Sequence, residues 1–131
     1  MAVQLDDVAR SLIDGKNLAT VATINPDGQP QSTVVFVMRD GNSVVFSTVR
    51  GRRKTRNMQR EPRISLLVLD TTTMTGYVEM RGRVEIIEDP QKVLLEKMYG
   101  KYMDVPPPPE STAERLIIRL TPDTLYRWPP G

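Results

Sequence analysis

Apolar residues recur at every second position in several short segments of this sequence, and this period of two is what most constrains the fold. The clearest segment covers residues 77–87, where Val78, Met80 and Val84 alternate with charged residues. Six further segments of strand length are rich in β-branched or apolar residues: 18–24, 32–38, 43–48, 64–69, 113–120 and 125–128. The sequence therefore predicts six or seven strands, mostly antiparallel.

Helical patterns are fewer, and three of them accompany the strands. An apolar face with helical spacing predicts a helix within residues 1–16. A second helix is predicted near 52–60, since helix-forming residues there stop before a proline. Asp89 as N-cap with Pro90 in the first turn predicts a third helix over 90–103. The four prolines that follow, at 106–109, predict an extended connector.

A chain of 131 residues fits one domain, and no internal repeat or boundary divides it. We therefore assign 1–131 to a single domain, with an N-terminal helix in 1–16 and the strands in 17–131. Long strands joined by short turns in so small a chain favour a barrel, because closure removes exposed sheet edges. The predicted fold class is mainly β: an antiparallel barrel with peripheral helices.

The composition excludes several kinds of chemistry. The chain contains no cysteine and no histidine, which rules out disulfides, thiolate or imidazole metal sites, and nucleophiles that depend on either side chain. We predict no metal site and no catalytic residue supplied by the protein. An acidic N-terminus and the lack of a long apolar run predict a cytoplasmic protein that does not bind a membrane.

Basic residues concentrate in one short stretch, where four of the five residues at 50–54 are Arg or Lys. Ser47 and Thr48 end a strand just before it, Gly51 allows a turn, and a helix begins near Arg52. Hydroxyls and free N–H groups at a helix N-terminus suit a phosphate, with Arg52 and Lys54 adding charge. A solvated basic helix face is the ordinary alternative. Nucleic-acid binding is a weaker one, because the stretch lacks aromatic residues for stacking.

Four segments together resemble the split β-barrel family of the pyridoxamine-phosphate oxidases, and within it the small oxidoreductases that use the deazaflavin coenzyme F420. In chain order they are LATVATINPDGQPQSTVVF, STVRGRRKTRNMQREPR, YVEMRGRVEII and TPDTLYRWPPG. The resemblance runs over about 17–131, nearly the whole chain, and the second segment is its most specific part. It implies a split barrel and a homodimer with a cofactor in each of two grooves between the subunits.

The resemblance also implies which residues bind the cofactor. Ser47, Arg52 and Lys54 would hold its phosphate, with Thr48 and Arg53 nearby. The cofactor ring would lie along the strand that contains Gln31, Ser32, Thr33 and Val34. The C-terminal segment around Trp128 would close the groove from the partner subunit.

Coenzyme F420 and FMN share the phosphate end, so this motif does not separate them. Additional arginines at 50, 53 and 56 suit the carboxylates of the F420 tail and favour F420, with FMN as the alternative. The expected function is hydride transfer from the reduced deazaflavin to a planar conjugated acceptor: a quinone, an enone or lactone, or a tetrapyrrole. A carrier that binds F420 or a flavin without a substrate of its own remains the rival interpretation.

Overall fold

The computed structural model describes residues 2–110 and 113–130 and confirms a mainly β fold. The helices are α1 (Asp7–Asp14), α2 (Arg53–Arg60) and α3 (Val93–Tyr102). The strands are β1 (Ala19–Ile24), β2 (Pro30–Val35), β3 (Met38–Asp40), β4 (Ser43–Val49), β5 (Arg63–Leu69), β6 (Tyr77–Glu88), β7 (Arg115–Leu120) and β8 (Thr124–Trp128). They pair antiparallel in the order β2-β1-β5-β6-β7-β4-β3, with β8 added to β6.

The strand predicted over 32–38 is two strands, so the described sheet has eight strands rather than six or seven. β2 and β3 lie at opposite ends of the strand order, yet only Phe36 and Val37 separate them along the chain. At this point the chain leaves one edge of the sheet and enters the other. The barrel is therefore closed by two residues of backbone rather than by a hydrogen-bonded ladder, which corrects the expectation that closure removes both edges.

β6 organises the sheet because it changes partners along its length. Residues 77–83 pair with β5, and residues 84–88 pair with β7. β8 takes the other side of the first half, at residues 77–81. Gly82 lies at the change of partner, where β6 passes close to the turn that connects β7 to β8. An added Cβ there would lie 3.0 Å from the carbonyl oxygen of Thr121 and 3.1 Å from Cδ1 of Leu120.

The inward faces of the strands form one apolar core. Alternation along β4, β5, β6 and β7 directs fully buried side chains into it, among them Phe46, Leu66, Met80 and Ile118. α1 adds Ala9 and Ile13, α2 adds Met58, and α3 adds Leu94 and Met98, so all three helices pack against the core.

The helix boundaries differ slightly from the predicted ones. α1 begins at Asp7, because the carboxylate of Asp6 accepts a hydrogen bond from the N–H of Ala9 at 2.8 Å. α3 begins at Val93 and not at Pro90. Asp89 still caps the helix, although it lies four residues before the first helical residue. Its two carboxylate oxygens accept hydrogen bonds from the N–H groups of Val93 and Leu94, each at 3.0 Å. Among the described residues no helix has the length and apolar character needed to cross a membrane.

The close approach at Gly82 gives a stability prediction. We expect Gly82→Ala to lower the free energy of unfolding by about 1–3 kcal/mol, because the new methyl group meets backbone that cannot easily shift. Gly100→Ala is the matched control: a Cβ there meets nothing within 4 Å, inside α3. It should raise stability by up to about 1 kcal/mol through helix propensity. Chemical denaturation measures both, and equal effects would contradict the proposed role of Gly82.

Candidate functional site

A groove of about 270 Å³ opens where the end of β2, β4, the start of α2, α3 and β7 come together. One side carries a hydroxyl and three cations: Ser47, Arg52, Lys54 and Arg115. The other side is apolar and aromatic: Val34, Val35, Phe36, Leu95, Met98 and Tyr99. A polar, cationic end beside an apolar wall suits a ligand with an anionic tail and a planar body.

The hydroxyl of Ser47 has no partner. Its oxygen is buried, and within residues 2–110 and 113–130 it is the one buried polar side-chain atom without a hydrogen bond. Leaving such a group unsatisfied costs about 1–3 kcal/mol. An unpaired buried hydroxyl beside three cations therefore fits an anionic group bound in the groove.

Lys54 is buried beside other cations and lacks a counter-charge. The residue is 8% exposed, and its ammonium donates to the hydroxyl of Thr33 at 3.2 Å. Among the described residues no carboxylate oxygen lies within 4.0 Å of it. Burial lowers the pKa of Lys54, and the positive charges of Arg52 and Arg115 lower it further. A bound anion would relieve this repulsion.

The N-terminus of α2 adds to the same positive field. Gly51 takes a φ of +93°, a conformation that favours glycine, and turns the chain into the helix. Arg52 occupies the N-cap position without a side-chain capping bond, and the first turn contains no acidic residue. The N–H groups at this end are thus left without the carboxylate that usually compensates them.

Arg115 is a site residue that the sequence analysis missed. It pairs with Val49 in the β4–β7 ladder, so it lies diagonally across from Ser47 on the same face. Its guanidinium donates through Nε and Nη2 to the carboxylate of Glu110, the Nε contact being 3.2 Å. The pairing of β4 with β7 spans more than sixty residues, and no local signal in the sequence predicts it.

The apolar wall is built around Phe36, one of the two residues that link β2 to β3. Its ring stacks on Tyr102, with centroids 4.2 Å apart and planes 9° apart. It also packs edge-to-face against Tyr99, with ring centroids 6.3 Å apart. Val34, at the mouth of the groove, is 64% exposed. The Phe36 side of the wall is therefore held by packing, whereas Val34 is exposed to solvent.

The structure brings together about half of the predicted site residues. Ser47, Arg52, Lys54 and Val34 line the groove, and Thr33 joins them through its hydrogen bond to Lys54.

The other predicted residues lie outside the groove. Thr48 points into the core, opposite to Ser47, and its hydroxyl bonds to that of Thr55 at 3.0 Å, so its assignment as a phosphate helper is corrected. Gln31 points inward on β2, 3.3 Å from the hydroxyl of Thr23. Ser32 and Arg53 are exposed. Trp128 lies opposite Tyr77 in a separate groove and does not line the cationic one.

The basic stretch separates into paired and unpaired cations. Arg50 forms ion pairs with Glu88 and Glu114, and Arg63 forms one with Glu61. By contrast, Arg52, Arg53, Lys54 and Arg56 have no carboxylate partner in the described part of the chain. Of these four, Arg52 and Lys54 line the groove, whereas Arg53 and Arg56 are exposed. The pattern argues against a uniform solvated basic face. Across the residues described, no group of three acidic side chains is placed to hold a metal ion.

Comparison with known proteins identifies the family. The family model for pyridoxamine 5'-phosphate oxidase matches residues 5–129, so the chain belongs to that family, whose members include oxidoreductases.

Individual relatives give two leads. A pyridoxine/pyridoxamine 5'-phosphate oxidase of Aeromonas hydrophila subsp. hydrophila is 42% identical over 66 residues, 50% of this chain and 31% of that protein. The chain thus spans about a third of the length of this curated relative. An F420 reductase structure is 32% identical with a TM-score of 0.82, covering 89% of this chain and 94% of that one. An FMN-binding protein of Nostoc punctiforme, 18% identical with a TM-score of 0.65 over 86% and 73% of the two chains, shares the fold.

The crowded cations give a prediction for Lys54. A lysine whose pKa falls on folding opposes folding while it is protonated, and this penalty fades as the pH rises toward the ordinary value of 10.5. Lys54→Met should therefore raise the melting temperature of the ligand-free protein at pH 7. Its advantage over the unsubstituted protein should shrink as the pH rises.

The same variant should lose its response to phosphate. At ten times its dissociation constant, inorganic phosphate stabilises the unsubstituted protein by about 1.4 kcal/mol. We expect little or none of that stabilisation in Lys54→Met. The control is Lys16→Met, an exposed lysine outside the groove, which should keep the full response. Differential scanning fluorimetry measures both effects, and an equal phosphate response in Lys54→Met would remove Lys54 from the anion site.

Proposed function

We propose that this chain is an oxidoreductase that holds coenzyme F420 in the groove and supports hydride transfer to a planar conjugated acceptor. The observation that carries the proposal is the unpaired hydroxyl of Ser47 beside the uncompensated cations Arg52 and Lys54. The likeness to an F420 reductase, at 32% identity over 89% of the chain, favours this cofactor.

The residues of the groove would hold the cofactor by its phosphate. Arg52 offers a planar fork of donors, Lys54 a point charge and Ser47 a hydroxyl donor, while the first turn of α2 adds backbone N–H groups. Val34 and Phe36 would flank the ring and exclude water from one of its faces. A reduced deazaflavin supplies a hydride when bound.

The protein would leave the redox chemistry to the cofactor. The lining of the groove contains no carboxylate, and the chain has no histidine. No side chain of the lining therefore has an ordinary pKa near 7 with which to donate a proton, so solvent would protonate the acceptor. The acceptor classes that suit hydride transfer at an open aromatic face are quinones, enones or lactones, and tetrapyrroles.

FMN is the second candidate cofactor. The curated relatives are pyridoxine/pyridoxamine 5'-phosphate oxidases, and the identity of 42% over 66 residues favours a flavin site of the same kind. Both cofactors carry the phosphate that the groove suits, so the anion site does not discriminate between them. A carrier that binds either molecule without turnover is the remaining alternative.

Titration with F420 and with FMN, followed by turnover assays, tests the proposal. We expect F420 to bind more tightly, and Arg52→Ala and Lys54→Ala each to weaken binding by about 1.5–3 kcal/mol through loss of a charge-assisted contact. Lys16→Ala should bind normally. The enzyme should then oxidise reduced F420 with at least one acceptor from a panel of menadione, an unsaturated lactone and biliverdin.

The other outcomes decide between the alternatives. Tighter binding of FMN would replace F420 with the flavin. Tight binding of F420 without oxidation by any acceptor would indicate a carrier. Normal affinity in both the Arg52 and the Lys54 variant would place the cofactor elsewhere.

A homodimer is part of the proposal, supported by a sheet face that no helix covers. One row of outward residues crosses five strands, from Val34 and Thr20 through Leu67 and Glu79 to Tyr126. Val34 and Tyr126 are 64% and 53% exposed. Since Val34 also borders the groove, a second copy seated on this face would complete the open edge of the site.

Sedimentation velocity tests the dimer. We expect the unsubstituted protein to be dimeric and Tyr126→Arg to raise the dimer dissociation constant about 10- to 100-fold, because it places a charge on the buried face. The control is Val105→Arg, which alters an exposed valine outside the row. A monomer that binds the cofactor fully would contradict the interfacial site.

A further inference from the structure

Glu110 lies in the segment that connects α3 to β7. It follows the four prolines at 106–109, and it contacts Lys92, just before the start of α3, and Arg115, at the start of β7. The ammonium of Lys92 donates to its backbone carbonyl at 3.1 Å and lies 3.3 Å from its carboxylate. The proline segment is thus followed by a carboxylate that lies next to Arg115, and Lys92 anchors it there.

That carboxylate engages one edge of Arg115. Nε and Nη2 of the guanidinium both donate to Glu110, through separate oxygens. The side chains of Arg115 and Glu110 are only 11% and 22% exposed, so the pair is largely withdrawn from solvent. A two-point contact of this kind fixes the plane of the guanidinium. Within the described residues Nη1 donates no hydrogen bond, and Arg115 lines the groove.

We propose that Arg115 is a third cation for the ligand's phosphoryl group and that Glu110 is its positioning residue, holding the guanidinium with its free N–H groups toward Ser47 and Lys54. The proposal rests on the anion site described above. It assigns the proline segment a role, since the segment carries the positioning carboxylate.

Electrostatics alone predicts the opposite effect for Glu110. A carboxylate close to an anion site repels the anion, so removing its charge should strengthen binding. If Glu110 instead orients Arg115, removing its charge should weaken binding. The pKa of Glu110 is held at about 2, chiefly by its bond to Arg115, so the carboxylate is ionised throughout the pH range of such a test. The sign of the effect therefore separates the two roles.

The test uses pyrophosphate, F420 and FMN as probes of the full-length protein, with dissociation constants from calorimetry. We expect Glu110→Gln to weaken binding of pyrophosphate at least fivefold, and Arg115→Met at least tenfold. In the double variant the effect of Glu110→Gln should vanish, because the glutamate acts only through Arg115. Tighter or unchanged binding in Glu110→Gln would overturn the proposal.

Glu114→Gln is the matched control. The substitution removes the same charge from a neighbouring position. Glu114 also pairs with an arginine, at 2.8 Å, but that arginine is Arg50, which lies outside the groove lining. Glu114→Gln should bind pyrophosphate with an affinity within twofold of that of the unsubstituted protein, or slightly more tightly. A loss equal to that of Glu110→Gln would show that the effect does not depend on the contact with Arg115, and it would overturn the proposal.

A second variant keeps the proposal testable if Glu110→Gln does not fold. Arg115→Lys keeps the charge and loses the two-point contact, so it should still weaken pyrophosphate binding severalfold; unchanged affinity would overturn the role of orientation. Failure of the proposed function is distinguishable: pyrophosphate would then bind with the predicted pattern while neither F420 nor FMN bound. No binding of pyrophosphate to the unsubstituted protein would overturn the third cation itself.

Discussion

The passage of the chain from β2 to β3 is the constraint on which the barrel and the groove both depend. The sheet has no ladder between its two end strands, so the backbone groups of Val37 need partners elsewhere. α3 supplies them. The N–H of Val37 donates to the hydroxyl of Tyr102 at 3.2 Å, and the ammonium of Lys101 donates to the carbonyl of Val37 at 2.7 Å. Because Phe36 stacks on the same Tyr102, the contact that closes the barrel also fixes the wall of the groove.

The same helix connects the site to the rest of the fold. Lys101 also donates to the carbonyl of Ile13 at 2.6 Å, and Tyr102 donates to that of Asn17 at 2.6 Å. Burial lowers the pKa of Lys101 to about 8 and raises that of Tyr102. These desolvated groups bond to backbone carbonyls, unlike Lys54, which has only one hydroxyl. Lys101 therefore stabilises the fold, whereas Lys54 retains donors that could bind a ligand.

The local parts of this architecture could be predicted from the sequence. Period-two alternation located the strands, and the order Ser47, Gly51, Arg52, Lys54 indicated where a hydroxyl and cations gather, because a strand end, a turn and a helix start are set by neighbouring residues. Local patterns failed where the outcome depends on distant contacts. The break at Phe36 arises because the chain passes there from one edge of the sheet to the other. Thr48 faces the core because of how its strand pairs with its neighbours, and the apolar run of that strand alone does not decide which of its residues face inward.

Arg115 and Glu110 mark the limit of sequence reasoning more sharply. Each lies in a segment whose own pattern is ordinary, a polar residue after prolines and a charge at the start of an apolar strand. Their importance comes from the β4–β7 pairing, which brings Val49 opposite Arg115, and from the return of residues 106–109 along α3. Predicting either needs the topology first. A motif supported by adjacent residues therefore identifies the local half of an anion site, and the half supplied by a distant strand has to come from the fold.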